Sequence, residues 1–274
     1  MIIKVLAENT AVSEAFGAEH GLSLYIETRK RKLLFDMGGS GLFAENGKKM
    51  GVDLSKVDLA FLSHGHYDHG GGLEVFLREN RRAKIYIQKT AFEDYYAERA
   101  DGRTVYIGLK KELGENERFV FAGAYEAIEE GIELFSDIRG SSPLPLSNRG
   151  LMMEEEGKRM PDAFRHEQVL AVSEEGKTLL VTGCAHNGIL NVLEHFQRKT
   201  GREPDYVVGG FHLASPTGIC EEERTVKEIA DILKRSKTRF FTGHCTGEGP
   251  YGLLRSVLGE RIEKLSGGTE FLLR

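Results

Sequence analysis

The sequence has few cysteines, no tryptophan and no long hydrophobic segment. Its three cysteines are odd in number and show no C-x-x-C spacing, which disfavours a disulfide framework. No apolar run approaches the roughly 18 residues that a membrane span requires, and the N-terminal residues lack the pattern of a secretion signal. These absences predict a cytoplasmic protein that does not act in a membrane.

Basic residues form no stripe of any length, although 37 lysines and arginines are present. Because nucleic-acid binders usually carry such a stripe, and because the formal net charge is -5, we predict no nucleic-acid partner. A chain of 274 residues with 40% hydrophobic residues can bury a sizeable core. These features predict a globular protein whose partner is a small molecule, and they leave its oligomeric state open.

Hydrophobic alternation in the first half predicts strands that lead into glycine-rich loops. Residues 22–37 are predicted to form a β-hairpin, and residues 57–62 a short buried strand that runs directly into the loop 63–72. A short helix and a strand over residues 83–88 are predicted to follow.

The second half of the sequence repeats this order. Residues 168–181 predict another hairpin, and strands over 205–208 and 239–242 each end in a loop that contains glycine and histidine. Amphipathic spacing predicts a helix over 221–235, and Pro250 suits the first turn of a further helix. Strands that alternate with helices in this way indicate sheets covered by helices.

The stretch from about 101 to 165 shows weak periodicity and a run of proline and serine at Gly140–Ser147. We predict that it is an irregular insertion within a single domain spanning residues 1–274. A loop that covers substrate and a plain solvated insertion are both consistent with its composition.

Four metal-ligating side chains fall within six residues at His64, His66, Asp68 and His69, immediately after a predicted buried strand. The glycines between and after them allow the backbone to curl, so that these side chains can converge. Neutral imidazole and carboxylate are the ligands of zinc, iron and manganese sites. The cluster therefore predicts a metal site rather than a polar loop that caps a helix.

Three further histidines, His186, His212 and His244, share one placement. Each follows a predicted strand and lies beside or near a glycine. Because ligands gather in the loops at strand ends of α/β architectures, we predict that these histidines join the first cluster.

The remaining histidines and the cysteines carry weaker signals. Ile189, Leu193 and Phe196 share one face of a further predicted helix, and His195 lies within it, where an exposed position is expected. His166 could approach the site from the end of the insertion. Cys184 and Cys245 lie next to predicted ligands, but without paired spacing we interpret them as small buried residues rather than ligands.

The segment HGHYDH at 64–69 resembles the metal-binding signature of the metallo-β-lactamase superfamily, and LFDMG at 34–38 resembles the hairpin with an aspartate that precedes it. The segments TGCAH and GGFHL resemble a narrower branch that includes an archaeal-type dihydropterin ribofuranosylaminobenzene phosphate synthase and related metal-dependent hydrolases. The resemblance implies an α+β fold, a four-layer αββα sandwich of two mixed sheets covered by helices.

The resemblance also implies two divalent metal ions, with zinc favoured over iron or manganese. It assigns the first metal to three histidines and the second to an aspartate and two histidines, namely His64, His66 and His186, and Asp68, His69 and His244. His212 stands where the wider superfamily often has a bridging aspartate, so it could bind one metal terminally or donate a proton to substrate. Asp36 is implied to orient a ligand histidine, whereas a simple turn cap is the alternative.

Two glycine-rich segments could bind a phosphate. One contains Gly39 and Ser40, and the other contains Thr246 and Gly247 and opens a predicted helix, whose N-terminus would attract an anion. Glycine also makes ordinary turns, so this pattern is weak.

Three functions are compatible with the sequence. The first is hydrolysis of a small, phosphorylated molecule by a metal-activated hydroxide, with Asp68 and His212 as catalytic residues. The second is a transferase reaction that condenses a dihydropterin pyrophosphate with a ribofuranosylaminobenzene phosphate. The third is a metal or ligand-binding module without turnover.

Overall fold

The computed structural model describes all residues, Met1–Arg274. Its strands are β1 Ile2–Ala7, β2 Ser23–Glu27, β3 Lys32–Phe35, β4 Leu59–Phe61, β5 Lys84–Ile87, β6 Asp94–Glu98, β7 Thr104–Tyr106, β8 Phe119–Phe121, β9 Tyr125–Glu129, β10 Ile132–Ser136, β11 Leu151–Glu155, β12 Lys158–Pro161, β13 Gln168–Glu174, β14 Lys177–Val181, β15 Tyr206–Gly209, β16 Arg239–Thr242, β17 Ile262–Lys264 and β18 Glu270–Leu272. Its helices are α1 Leu42–Lys49, α2 Tyr67–Gly70, α3 Leu73–Glu79, α4 Ile189–Thr200, α5 Glu223–Leu233 and α6 Glu248–Leu258. None of these helices has the length and apolar character that crossing a membrane requires.

Two seven-stranded mixed sheets form the centre of the molecule. The first has the strand order β18-β1-β2-β3-β4-β5-β8 and the second the order β17-β16-β15-β14-β13-β10-β9. In the first sheet β3, β4, β5 and β8 are parallel, and in the second β14, β15, β16 and β17 are parallel. The remaining neighbours pair in antiparallel fashion, so both predicted hairpins are confirmed.

Alternating side chains explain why the sheets stack in four layers. Along β14, Leu179 and Val181 pack between the two sheets, whereas Leu180 packs under the helices of the second sheet. Along β3, Phe35 packs between the sheets and Leu34 packs under the helices of the first sheet. Since successive side chains of a strand point to opposite faces, each sheet buries both faces. The predicted α+β sandwich with helices outside is confirmed.

The expectation of an irregular stretch over residues 101–165 is wrong. Six strands, β7 to β12, lie in it, and β8, β9 and β10 extend the two central sheets. The strands β12, β11, β6 and β7 form a third, four-stranded sheet. The periodicity of this stretch is weak because several of its strands bury little: every residue of β12 is exposed and β9 is at most half-buried, whereas β10 is mostly buried. The prediction of a single domain stays a prediction.

Candidate metal centre

The predicted ligand histidines follow four strands that belong to both central sheets. His64 follows β4 of the first sheet, whereas His186, His212 and His244 follow β14, β15 and β16 of the second. Each of these four strands has a parallel neighbour in its own sheet. Their carboxyl ends therefore meet at one edge of the sandwich. All four side chains are buried. The fold therefore brings together loops that are up to about 180 residues apart in the sequence.

Four of the seven predicted ligands are histidines whose Nδ1 atoms are held by side-chain oxygens. The pairs are His69 with Asp36 at 2.6 Å, His64 with Ser63 at 2.8 Å, His186 with Asn148 at 3.0 Å and His244 with Asn9 at 2.9 Å. The carboxylate and amide oxygens only accept, so His69, His186 and His244 donate from Nδ1. Each ring consequently directs its Nε2 into the cluster, the orientation that metal-ligating histidines have in proteins.

The Nε2 atoms face one another in two pairs. His64 Nε2 lies 3.3 Å from His186 Nε2, and His69 Nε2 lies 3.2 Å from His244 Nε2. Two nitrogen lone pairs at this distance repel, so a proton or a cation has to lie between them. Tetrahedral zinc with Zn–N bonds of about 2.0–2.1 Å separates its nitrogen ligands by about 3.3 Å. The residues present therefore fit two cations.

Asp68 lies beside the second pair. Its Oδ2 atom is 3.2 Å from His244 Nε2, 3.7 Å from His69 Nε2 and 3.3 Å from His20 Nε2. Burial alone would raise the pKa of the Asp68 carboxyl, but these three imidazoles hold it well below its ordinary value. His20, which the sequence analysis did not single out, also stacks on His244 with ring centroids 4.9 Å apart.

Two predicted ligands have nitrogens that no protein atom satisfies. His66 Nε2 and both ring nitrogens of His212 are buried without a hydrogen-bond partner. The ring centroids of His212 and His186 are 4.1 Å apart. Because a buried polar atom without a partner costs about 1–3 kcal/mol, these atoms are suited to a ligand that the protein itself does not supply.

His69 differs in charge from His64 and His186. Burial and neighbouring imidazoles hold the pKa of His64 and of His186 well below the ordinary value, so both rings are neutral ligands. Burial also opposes charge on His69, but the carboxylates of Asp36 and Asp68 outweigh it and raise the pKa of His69 to about 9. In the metal-free protein the His69 ring is therefore protonated on both nitrogens, and positively charged, at neutral pH.

Strained backbone conformations gather at this site. Asp36, Ala185, His212 and His244 have φ angles of 60°, 57°, 47° and 53°. A non-glycine residue in the left-handed region costs on the order of 1 kcal/mol or more, and such residues cluster at functional sites. Three of these four are predicted site residues, and Ala185 separates Cys184 from His186.

The cysteines occupy two environments. Cys184 and Cys245 are buried, as expected, whereas Cys220 is exposed. Cys184 Sγ lies only 3.1 Å from His69 Nε2, and its position lets it share a cation with Asp68, His69 and His244. Cys245 groups with Cys184 and His212. Two thiols thus lie among the predicted ligands. The sequence had predicted only that both cysteines are small buried residues.

The segment before β13 supplies a further pair of residues. His166 is fully buried, and its Nδ1 atom accepts a hydrogen bond from Gly65 N at 2.9 Å. Its Nε2 atom lies 3.0 Å from Asp162 Oδ2. Asp162 Oδ2 is in turn 3.7 Å from His66 Nε2. His166 thus does approach the site, and Asp162 was missed by the sequence analysis. Its signal was a polar segment, PDAFRHEQ, that leads into an apolar strand.

His195 does not behave as the sequence analysis expected. The side chain is buried, and its Nδ1 atom accepts a hydrogen bond from Arg139 N at 3.2 Å. It lies on α4 against Phe135, away from the other histidines. A helix position says nothing by itself about exposure, and here the face that carries His195 turns toward the second sheet.

A matching sequence profile covers residues 16–224 and describes the metallo-beta-lactamase superfamily. The chain belongs to this superfamily. Its sequence is 32% identical to the uncharacterized protein MJ0448 of Methanocaldococcus jannaschii over 90% of this chain and 91% of that protein. It is 28% identical to the 7,8-dihydropterin-6-methyl-4-(beta-D-ribofuranosyl)-aminobenzene-5'-phosphate synthase of the same organism, over 97% of this chain and 94% of the synthase.

A solved structure agrees in fold along the whole chain. The structure of Tm1679, described as a metal-dependent hydrolase of the beta-lactamase superfamily, superposes with a TM-score of 0.83 at 28% identity. The alignment covers 100% of this chain and 99% of Tm1679. This metallo-beta-lactamase chain therefore has the fold of a metal-dependent hydrolase, and the superfamily typically binds divalent metals.

A cleft of this metallo-beta-lactamase fold opens onto the histidine cluster. Its floor includes Asp68, His212 and Cys184, and its wall comes partly from the third sheet. Arg99 and Arg149 line the rim. Nearby arginines pair with carboxylates, as in the ion pairs Arg103–Asp101 and Arg159–Glu154, but neither rim arginine forms an ion pair.

The four residues proposed from glycine-rich segments do not line this cleft. Backbone N–H groups of Gly39 and Ser40 already donate to the Glu19 carboxylate, at 3.1 and 3.2 Å. Thr246 is fully buried, and its Oγ1 accepts from Phe211 N at 3.0 Å. Gly247 lies on another part of the surface. These four residues thus lie outside the cleft, and the prediction that they bind substrate stays a prediction.

Proposed function

We propose that this chain is a metal-dependent hydrolase of a small molecule that carries an anionic group such as phosphate. The observation that carries the proposal is the pair of facing Nε2 contacts, His64 with His186 and His69 with His244, at distances that suit a tetrahedral cation. Imidazole-rich sites suit zinc, which is the cation we propose, with iron or manganese as substitutes.

The proposed ligands form two sets that follow the two pairs. They are His64, His66 and His186 for one cation, and Asp68, His69 and His244 for the other. When bound, such cations lower the pKa of water toward about 7 and stabilise negative charge on a carbonyl or phosphoryl oxygen. Asp36 holds His69 in place through its 2.6 Å hydrogen bond.

Protons would be moved by residues that face the cleft. Asp68 would orient the attacking water and help to move its proton, since its carboxylate stays ionised among three imidazoles. His20 bonds Asp68 at 3.3 Å and is half-buried, so it can pass a proton toward solvent. His212, whose nitrogens have no protein partner, is placed to protonate the leaving group.

The anionic substituent would bind at the rim. Arg99 and Arg149 lack carboxylate partners, although Glu98 also lines the cleft. Planar guanidinium groups match the geometry of phosphate and carboxylate oxygens. Tyr67 and Ile107 give the wall an apolar part against which the rest of the molecule can pack.

The first test is the metal content of protein purified without added metal, measured by elemental analysis for wild type, His64→Ala and His212→Ala. We expect close to two cations per chain in wild type and fewer in His64→Ala. A lower content in His212→Ala as well would support His212 as a ligand. A second measurement is hydrolysis of a phosphoester panel before and after removal of metal with a chelator. Bound metal without any turnover would instead support a binding module, and a chain that takes up no metal would refute the proposal.

A second candidate is a transferase, which the similarity to the pterin synthase along 97% of this chain favours. In that case the rim arginines would hold a pyrophosphate leaving group, and the acceptor amine would replace water. The two candidates separate in one assay that supplies a dihydropterin pyrophosphate with and without a ribofuranosylaminobenzene phosphate. A condensation product that appears only with both compounds supports the transferase, whereas release of phosphate from one compound alone supports the hydrolase.

A further inference from the structure

The thiol of Cys184 lies between the two histidine pairs. Its Sγ atom is 3.1 Å from His69 Nε2. The same atom groups within 4.8 Å with ligand atoms of Asp68, His69 and His244 on one side, and with those of His64 and His186 on the other. The side chain is 3% exposed. Sulfur is thus within reach of both proposed cations.

We propose that Cys184 is a metal ligand and that its thiolate bridges the two cations. The inference rests on the metal centre of the proposed function and names a donor that the sequence motifs do not assign. His212 stands where the wider superfamily often has an aspartate that bridges the two cations. An imidazole nitrogen has only one lone pair, so it cannot bind two cations at once. A thiolate sulfur has several lone pairs and can bind two cations at once.

Local geometry keeps Cys184 in this position. A Cβ atom on Gly183 would lie 2.1 Å from Ser63 Oγ, so the loop after β14 presses directly on the loop after β4. The left-handed φ of 57° at Ala185 then turns the chain between Cys184 and His186. Both side chains thereby point into the cluster, although they are only two residues apart.

The other two cysteines are less well placed to bind both cations. Cys245 groups with Cys184 and His212 but with neither facing pair of histidines. Its sulfur lies 3.5 Å from the Cys184 carbonyl oxygen. Cys220 is exposed and apart from the cluster, which makes it a matched control.

Ligation by Cys184 has a chemical consequence. The Cys184 thiol loses its one proton to solvent, and the resulting thiolate uses two of its lone pairs to form both metal–sulfur bonds, without any change of oxidation state. Thiolate ligands select zinc or iron over magnesium and calcium, which prefer oxygen. The centre should therefore retain zinc against an excess of magnesium.

X-ray absorption at the zinc edge tests the proposal on reduced wild-type protein that holds two zinc ions by elemental analysis. A bridging thiolate gives about one sulfur neighbour per zinc at about 2.3 Å, and a terminal thiolate gives about half that number. We expect the bridging value in wild type, in Cys220→Ser and in Cys245→Ser, and no sulfur neighbour in Cys184→Ser. Cobalt-loaded samples should likewise show a thiolate-to-cobalt absorption band that only Cys184→Ser loses.

The outcomes separate this inference from the proposed function. Two zinc ions with only nitrogen and oxygen neighbours would overturn the role of Cys184 and leave the metal-dependent hydrolase standing. The half value would overturn the bridge, as would a band that disappears in Cys245→Ser but persists in Cys184→Ser. A wild-type chain that binds no zinc would overturn both proposals.

Discussion

The carboxylate of Asp36 lies 2.6 Å from His69 Nδ1, and both side chains are completely buried. The same carboxylate accepts hydrogen bonds from Ser63 N and Ser63 Oγ, each at 2.7 Å. Ser63 Oγ in turn lies 2.8 Å from His64 Nδ1. Asp36 therefore positions one imidazole of each facing pair, directly for His69 and through Ser63 for His64, from a backbone with φ of 60°.

We predict that Asp36→Asn weakens metal binding by about 10–100-fold, the range seen when a partner of a ligand histidine is removed. The amide keeps the shape but loses the charge that orients and polarises His69. Competition with a chromophoric chelator measures the affinity, and circular dichroism checks that the fold persists. Asp101→Asn is the matched control, because Asp101 is exposed and pairs only with Arg103. Equal affinities for wild type and Asp36→Asn would contradict the role of Asp36.

Metal binding should also depend on pH. The pKa of His69 is raised to about 9, so below that pH a cation has to displace a proton from this ligand. The affinity of the second site should therefore rise with pH, by up to about tenfold per pH unit, and level off above the pKa. The first site contains His64 and His186, whose pKa is held well below the ordinary value, so its affinity should change less. Calorimetric titrations at several pH values check this, and equal pH dependence of both sites would count against the assignment.

The candidate ligands could be predicted from the sequence because their signal is local. His64, His66, Asp68 and His69 lie within six residues, and the other three histidines each follow a strand that an apolar pattern predicts. The rule that strand ends share an edge then places them together. The same patterns predicted the two hairpins and the helices, since those elements bury continuous apolar faces.

The partners of these ligands could not be predicted, because nothing local marks them. Asn9 and Asn148 reach His244 and His186 only through tertiary contacts across 235 and 38 residues. Asp162 belongs to a stretch whose short strands bury too little to produce a periodic pattern. The partner of the Gly39 and Ser40 N–H groups could not be predicted for the same reason, since Glu19, which accepts from both, lies 20 residues before Gly39.

Substrate recognition gives a third prediction. If Arg99 and Arg149 bind an anionic substituent, Arg99→Ala and Arg149→Ala should each raise KM about 10-fold or more for phosphorylated substrates, the effect of losing a charge-assisted hydrogen bond. Neutral esters should show no such change. Steady-state kinetics on matched charged and neutral substrates measures the difference. Arg103→Ala serves as control, because that guanidinium is exposed and already paired. A similar loss with neutral substrates would indicate damage to the cleft rather than lost recognition.

Close packing at Gly183 gives the last prediction. A methyl group there would meet Ser63 Oγ at 2.1 Å, Ser63 Cβ at 2.6 Å and His64 Nδ1 at 3.1 Å. Since these atoms are fully buried, Gly183→Ala has to displace Ser63 and the ring of His64, which should cost about 1–3 kcal/mol of unfolding free energy and lower zinc content as well. Gly252→Ala is the control: the position is exposed within α6 with no atom near the added methyl, so it should be neutral or stabilise by up to about 1 kcal/mol. Urea denaturation of metal-free protein measures the first effect and elemental analysis the second. A Gly183→Ala protein with wild-type stability and full zinc content would show that the two ligand loops do not depend on this contact.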